Sequence, residues 1–127
     1  MHRHSPGYVA LVDDARTRVS CISIPEYNER LMRREHHVLI DVREDHEWAA
    51  GRLPGAMHLS RGVLEREIES NFADKTTPLV LYCAAGNRSV LAAESLQRMG
   101  YTNVVSLDGG FRGWREAGLP IETDDTE

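Results

Sequence analysis

Val38-Leu39-Ile40-Asp41-Val42, Leu79-Val80-Leu81-Tyr82 and Val104-Val105-Ser106-Leu107 are short β-branched and aliphatic runs with almost no polar alternation. A strand with one wet face alternates apolar and polar residues, so runs of this kind demand cover on both faces, the condition of a parallel sheet. Between them the period turns helical. Leu64, Ile68 and Phe72 recur at every fourth position, and Ser89, Ala92, Ala93, Leu96 and Met99 form a second stripe that closes at Gly100, with Arg98 in its last turn. Strand, helix, strand, helix is the signature of an α/β fold in which the three runs are interior strands. Reactive groups in such sheets sit just beyond the carboxyl ends of the strands. Two segments meet that description, Asp41 to Glu44 and Cys83 to Ser89.

The rest of the chain frames one domain. With 127 residues there is room for a single core. Tyr8, Leu11, Val12, Ala15 and Val19 make an amphipathic stripe, an amino-terminal helix packed on the body. A short strand is expected near Val19 to Ser23, then a helix from about Pro25 to Arg34 opened by a capping box of Ser23 and Glu26. Apolar runs of four to five residues are far short of the ~20 a membrane span needs. The first residues lack the pattern of a secretory leader, so the expected address is cytoplasmic. Net charge is −5, but Glu122, Asp124, Asp125 and Glu127 supply four of the negatives, and the 14 Arg residues are scattered rather than clustered. That argues against nucleic acid and against a membrane as partners.

Two cysteines, Cys21 and Cys83, without a C-x-x-C give neither a zinc site nor a disulfide framework. Cys83 directly follows an interior run, and five residues separate it from the helix expected to start near Arg88 or Ser89. Small residues at 84 to 86 let the backbone curl around the sulfur, while the helix start and Arg88 add positive charge. This setting favours a thiolate, the form that attacks sulfur or phosphorus. The competing reading is a buried structural cysteine.

The loop Cys83-Ala84-Ala85-Gly86-Asn87-Arg88-Ser89 resembles the active-site loop of the rhodanese homology domain. Leu39 to Arg43, Glu47-Trp48 and Gly51 to Ala56 are similar to that family's amino-terminal signature. Gly100-Tyr101, Val104, Leu107 to Gly110, Trp114 and Gly118 to Pro120 are similar to its carboxyl-terminal one. The resemblance implies a three-layer α/β fold with a mainly parallel five-stranded sheet flanked by helices. It divides the chain into a helical extension at 1–19, the domain at 20–121 and an acidic disordered tail at 122–127. It also implies a sulfurtransferase that passes sulfane sulfur from thiosulfate or a persulfide donor to a thiol or cyanide, with a sulfur-carrier protein as a further partner. Cys83 would be the nucleophile and persulfide carrier. Ala84, Ala85, Gly86, Asn87 and Arg88 would bind the substrate, with no metal and no cofactor. Two alternatives stand: a noncatalytic protein-binding module, which typically lacks the cysteine, and a phosphatase of related fold, whose loop is one residue longer than the four residues between Cys83 and Arg88. Two-domain members carry a base where this chain has Glu47, which bears on the choice of donor.

Asp41 and Arg43 are expected to form hydrogen bonds and ion pairs that fix neighbouring loops rather than to touch substrate. Trp48 and Trp114 read as packing residues, and Cys21 as a buried strand residue. His36-His37 and His2-x-His4 lack partners at metal-ligand spacing and read as exposed loop histidines. His46 and His58 stay outside the catalytic set.

Overall fold

A computed structural model describes residues 4–124. Five strands form one sheet: β1 (Ser20–Ile22), β2 (Val38–Asp41), β3 (Met57–His58), β4 (Leu79–Tyr82) and β5 (Val104–Leu107). Their order is β1-β5-β4-β2-β3 and every pairing is parallel. The three apolar runs are therefore the three interior strands, as their lack of alternation requires.

Six helices cover the sheet: α1 (Pro6–Arg16), α2 (Ile24–Met32), α3 (Asp45–Ala50), α4 (Leu64–Asn71), α5 (Asn87–Arg98) and α6 (Gly110–Glu116). Side chains of successive strand residues go to opposite faces, and the two cores sort accordingly. Ile40, Val42, Leu79, Leu81 and Cys83 pack with Val12 and Ala15 of α1, Leu64 and Ile68 of α4, and Val90, Ala93 and Leu96 of α5. Leu39, Val80 and Tyr82 face the other way, onto Tyr27 of α2 and Trp114 of α6. The result is a three-layer α/β sandwich whose middle strand, β4, ends at Tyr82, just before Cys83.

Ser23 caps α2 as its sequence indicates: its Oγ accepts from the Glu26 N–H at 3.2 Å, and the Glu26 carboxylate accepts from the Ser23 N–H at 3.1 Å. Four expectations need correction. Leu11 is 55% exposed, because α1 touches the body along a narrow line through Val12 and Ala15. Cys21 is only partly buried, since β1 is an edge strand. His37 is not a free loop histidine; its ring nitrogens lie 2.8 Å from the Tyr27 hydroxyl and 2.8 Å from the Glu35 carbonyl. The first part of the expected disordered tail is tied down, because Glu122 and Arg52 exchange backbone hydrogen bonds and the Arg52 guanidinium reaches Asp124 at 2.7 Å. Residues 125–127 and His2 lie outside the described residues. No described helix is long and apolar enough to cross a membrane.

Candidate active site

Cys83 is 1% exposed and lies one residue beyond β4. The chain turns at once: Gly86, in the left-handed region at φ 117°, caps α5, and this turn brings N–H groups back toward the sulfur. Gly86 N–H reaches Cys83 Sγ at 3.1 Å and Ser89 N–H at 3.4 Å. The N–H groups of Asn87 and Arg88 open α5 and have no intrahelical acceptor. The Cys83 thiol also meets Ser89 Oγ at 3.5 Å, which lies 2.7 Å from Ser106 Oγ on β5. Both serines are wholly buried. Hydroxyls can rotate, so this pair can accept from a thiol or turn its protons toward a thiolate.

The loop is fixed from two sides. On one, Phe111 and Arg112 donate backbone N–H bonds to the carbonyls of Cys83 and Ala84, each at 2.9 Å. This close approach requires Gly110, where a Cβ would collide with the Cys83 carbonyl oxygen. On the other side, Arg16 of α1 pairs with Asp108 at 3.0 Å and reaches the Gly86 carbonyl and Asn87 Oδ1 at 3.4 and 3.5 Å.

The sulfur borders a cleft of about 460 Å³ lined by Cys83, Ala84, Ala85, Asn87 and Arg88, by Glu47, and by His4, Tyr8 and Arg112. Gly86 turns its N–H to the sulfur but does not line the cleft. Arg88 does not stand free at the rim. Its two terminal nitrogens grip the Glu47 carboxylate at 2.8 and 3.0 Å. This grip holds the Glu47 carboxyl down at about 2 and raises the already high Arg88 value further. The pair is a permanent zwitterion across the usual pH range.

Asp41 and Arg43 do not line the Cys83 cleft. They form a buried ion pair at 2.8 Å, with the Tyr82 hydroxyl donating to Asp41 at 2.7 Å and Arg43 donating to the Gly51 carbonyl at 2.6 Å. Trp114 is in the core, and Trp48 stacks on His58 at 4.9 Å. His58 bonds the Arg43 carbonyl at 2.7 Å and His46 is exposed. Sequence reasoning missed four contributors: Ser89, which reads as part of the α5 stripe, and Tyr8, His4 and Arg112, which only the fold brings to the cleft.

A thiol held by turn and helix-start N–H groups just beyond the central strand of a parallel sheet defines a class of three-layer α/β proteins by its geometry. A family model described as Rhodanese-like domain matches residues 23–117. The chain belongs to that family. A protein of unknown function and possible tyrosine phosphatase from Rhodopseudomonas palustris is 32% identical, with a TM-score of 0.84 over 96% of this chain and 99% of that one. The polysulfide-sulfur transferase homodimer of Wolinella succinogenes is 28% identical, with a TM-score of 0.77 over 95% and 90%. A thiosulfate sulfurtransferase from Pseudomonas aeruginosa is 25% identical, with a TM-score of 0.78 over 90% of this chain and 22% of that longer one. The rhodanese-like fold and its sulfurtransferase neighbours are thus common ground for the chain.

Proposed function

We propose that this protein is a sulfurtransferase that carries sulfane sulfur on Cys83. The observation that carries the reading is the pair of N–H bonds from Gly86 and Ser89 to the Cys83 sulfur inside a loop with four residues between Cys83 and Arg88. In the first half-reaction the Cys83 thiolate attacks the outer sulfur of thiosulfate or of a persulfide donor. The donor S–S bond breaks and its electron pair leaves with sulfite or with a thiolate. The Cys83 persulfide that forms keeps its negative charge on the terminal sulfur, where the N–H groups from Ala84 to Arg88 act as an oxyanion hole would. In the second half-reaction a thiolate or cyanide attacks that sulfur and the Cys83 thiolate is released. This covalent cycle uses neither metal nor organic cofactor. A sulfur-carrier protein could take the place of the small acceptor, and a cytoplasmic setting would keep both thiols reduced.

The name of the Rhodopseudomonas relative keeps a second reading in view, phosphate ester hydrolysis through the same cysteine. A tetrahedral phosphate places three nonbridging oxygens among the loop N–H groups, whereas a persulfide places one atom. The shorter loop suits the single atom. Intact-mass measurement after thiosulfate treatment tests the choice. One added sulfur on the wild type and none on Cys83→Ser is expected. Cys83-dependent release of phosphate from an aryl phosphate, with no persulfide formed, would replace sulfur transfer by phosphatase activity. Cys21→Ser should retain most of the transfer activity.

A further inference from the structure

The cleft holds two arginines, and they differ in what already occupies them. Arg88 spends both terminal nitrogens on Glu47, so its charge is answered within the protein. Arg112 is exposed, and its guanidinium makes no ion pair or hydrogen bond with any described residue. It is nevertheless fixed to the reacting loop, because its own N–H donates to the Ala84 carbonyl at 2.9 Å, one residue from the nucleophile. Arg112 lines the Cys83 cleft and also a neighbouring cleft of about 290 Å³ shared with Glu47, Ala84 and Phe111.

We infer that Arg112, and not Arg88, binds the anionic end of the molecule that attacks or is attacked at Cys83. The chemistry recognised is a small sulfonate or carboxylate carried beside a reactive sulfur, as in thiosulfate or in the persulfide of an amino acid or short peptide. A cleft of about 460 Å³ exceeds what thiosulfate alone would fill, which leaves room for the larger carboxylate-bearing donors. The inference rests on the sulfurtransferase reading for the identity of the donor, but the anion site itself does not.

Two assays separate these parts. The first compares Cys83 alkylation by iodoacetate, an anion, with alkylation by neutral iodoacetamide; in both the thiolate displaces iodide at the same carbon. Arg112→Gln should lower the iodoacetate rate about tenfold, the scale of one lost charge-assisted contact. The iodoacetamide rate should stay within twofold, and Arg112→Lys should recover most of the difference. The second assay follows transfer from thiosulfate and from glutathione persulfide. Arg112→Gln should raise KM for both about tenfold with kcat nearly unchanged, and the rise of the wild-type KM with salt should flatten. Equal losses for both donors mean that the charge is what is read; a loss confined to one names the donor that the site fits. If persulfide still forms and neither the alkylation ratio nor either KM moves in Arg112→Gln, the Arg112 assignment is wrong. If no donor loads Cys83 yet the alkylation ratio falls, the anion site stands and the sulfurtransferase reading is the part that fails.

Discussion

The Asp41 carboxylate is wholly removed from solvent and receives bonds from the Arg43 side chain, the Arg43 N–H and the Tyr82 hydroxyl. Deleting one partner of such a pair strands a charge in the core, so Arg43→Met should cost about 3–5 kcal/mol. Urea unfolding reads this as a lower midpoint at unchanged slope. Glu47 behaves differently because it stands at the cleft edge. Its carboxyl is drawn from 4.5 down to about 2, chiefly by the Arg88 hydrogen bonds. A depressed value means that the Arg88 pairing stabilises the fold fully above about pH 4.5 and is lost as pH falls through about 2. Glu47→Gln should therefore cost about 1 kcal/mol at pH 6, allowing for solvent screening, and almost nothing near pH 2. Thermal melts across that range give the comparison. The turn after β4 at Cys83 and the structural, paired character of Asp41 and Arg43 were legible because neighbours in the chain define them. The partnership of Arg88 with Glu47 joins two distant segments that no local pattern connects.

Elements follow the same division. β2, β4 and β5 were legible because an unbroken apolar run has few other fates, and α2 because Ser23 and Glu26 write its first turn chemically. β3 is two residues long and was not separable in the sequence; its place is set by pairing, with the N–H groups of Leu59 and Arg61 just beyond it bonded to the Asp41 and Val42 carbonyls. The α1 stripe overran its helix. α1 ends at Arg16, and Val19 is buried instead at the approach to β1. The junction between α6 and the reacting loop depends on Gly110, at φ 51° and hard against the Cys83 carbonyl. Gly110→Ala should cost about 1–3 kcal/mol by overpacking. It should also slow sulfur loading of Cys83 more than Cys21→Ser does, which timed intact-mass spectra would show. Equal loading rates would mean that the loop tolerates displacement.

Across the whole molecule, the two cores lie on opposite faces of the sheet, so stability should be graded from its centre outward. Amide hydrogen exchange should be slowest in β4 and its neighbours β2 and β5, and faster in the edge strands β1 and β3. Uniform protection across all five would contradict this gradient. The family match begins at residue 23, yet α1, which precedes it, supplies Tyr8 to the cleft wall and Arg16 to the back of the loop. The Cys83 sulfur is thus housed by two parts of the chain, a sheet-borne half that carries the thiol and its N–H cradle and a helical half that walls the approach to it. Such a division puts part of the cleft wall on a helix that lies outside the matched segment. Exchanging residues along its cleft-facing side would retune which molecules are admitted while the thiol and its cradle stay as they are, a route by which one rhodanese-like scaffold could be adapted to many clients.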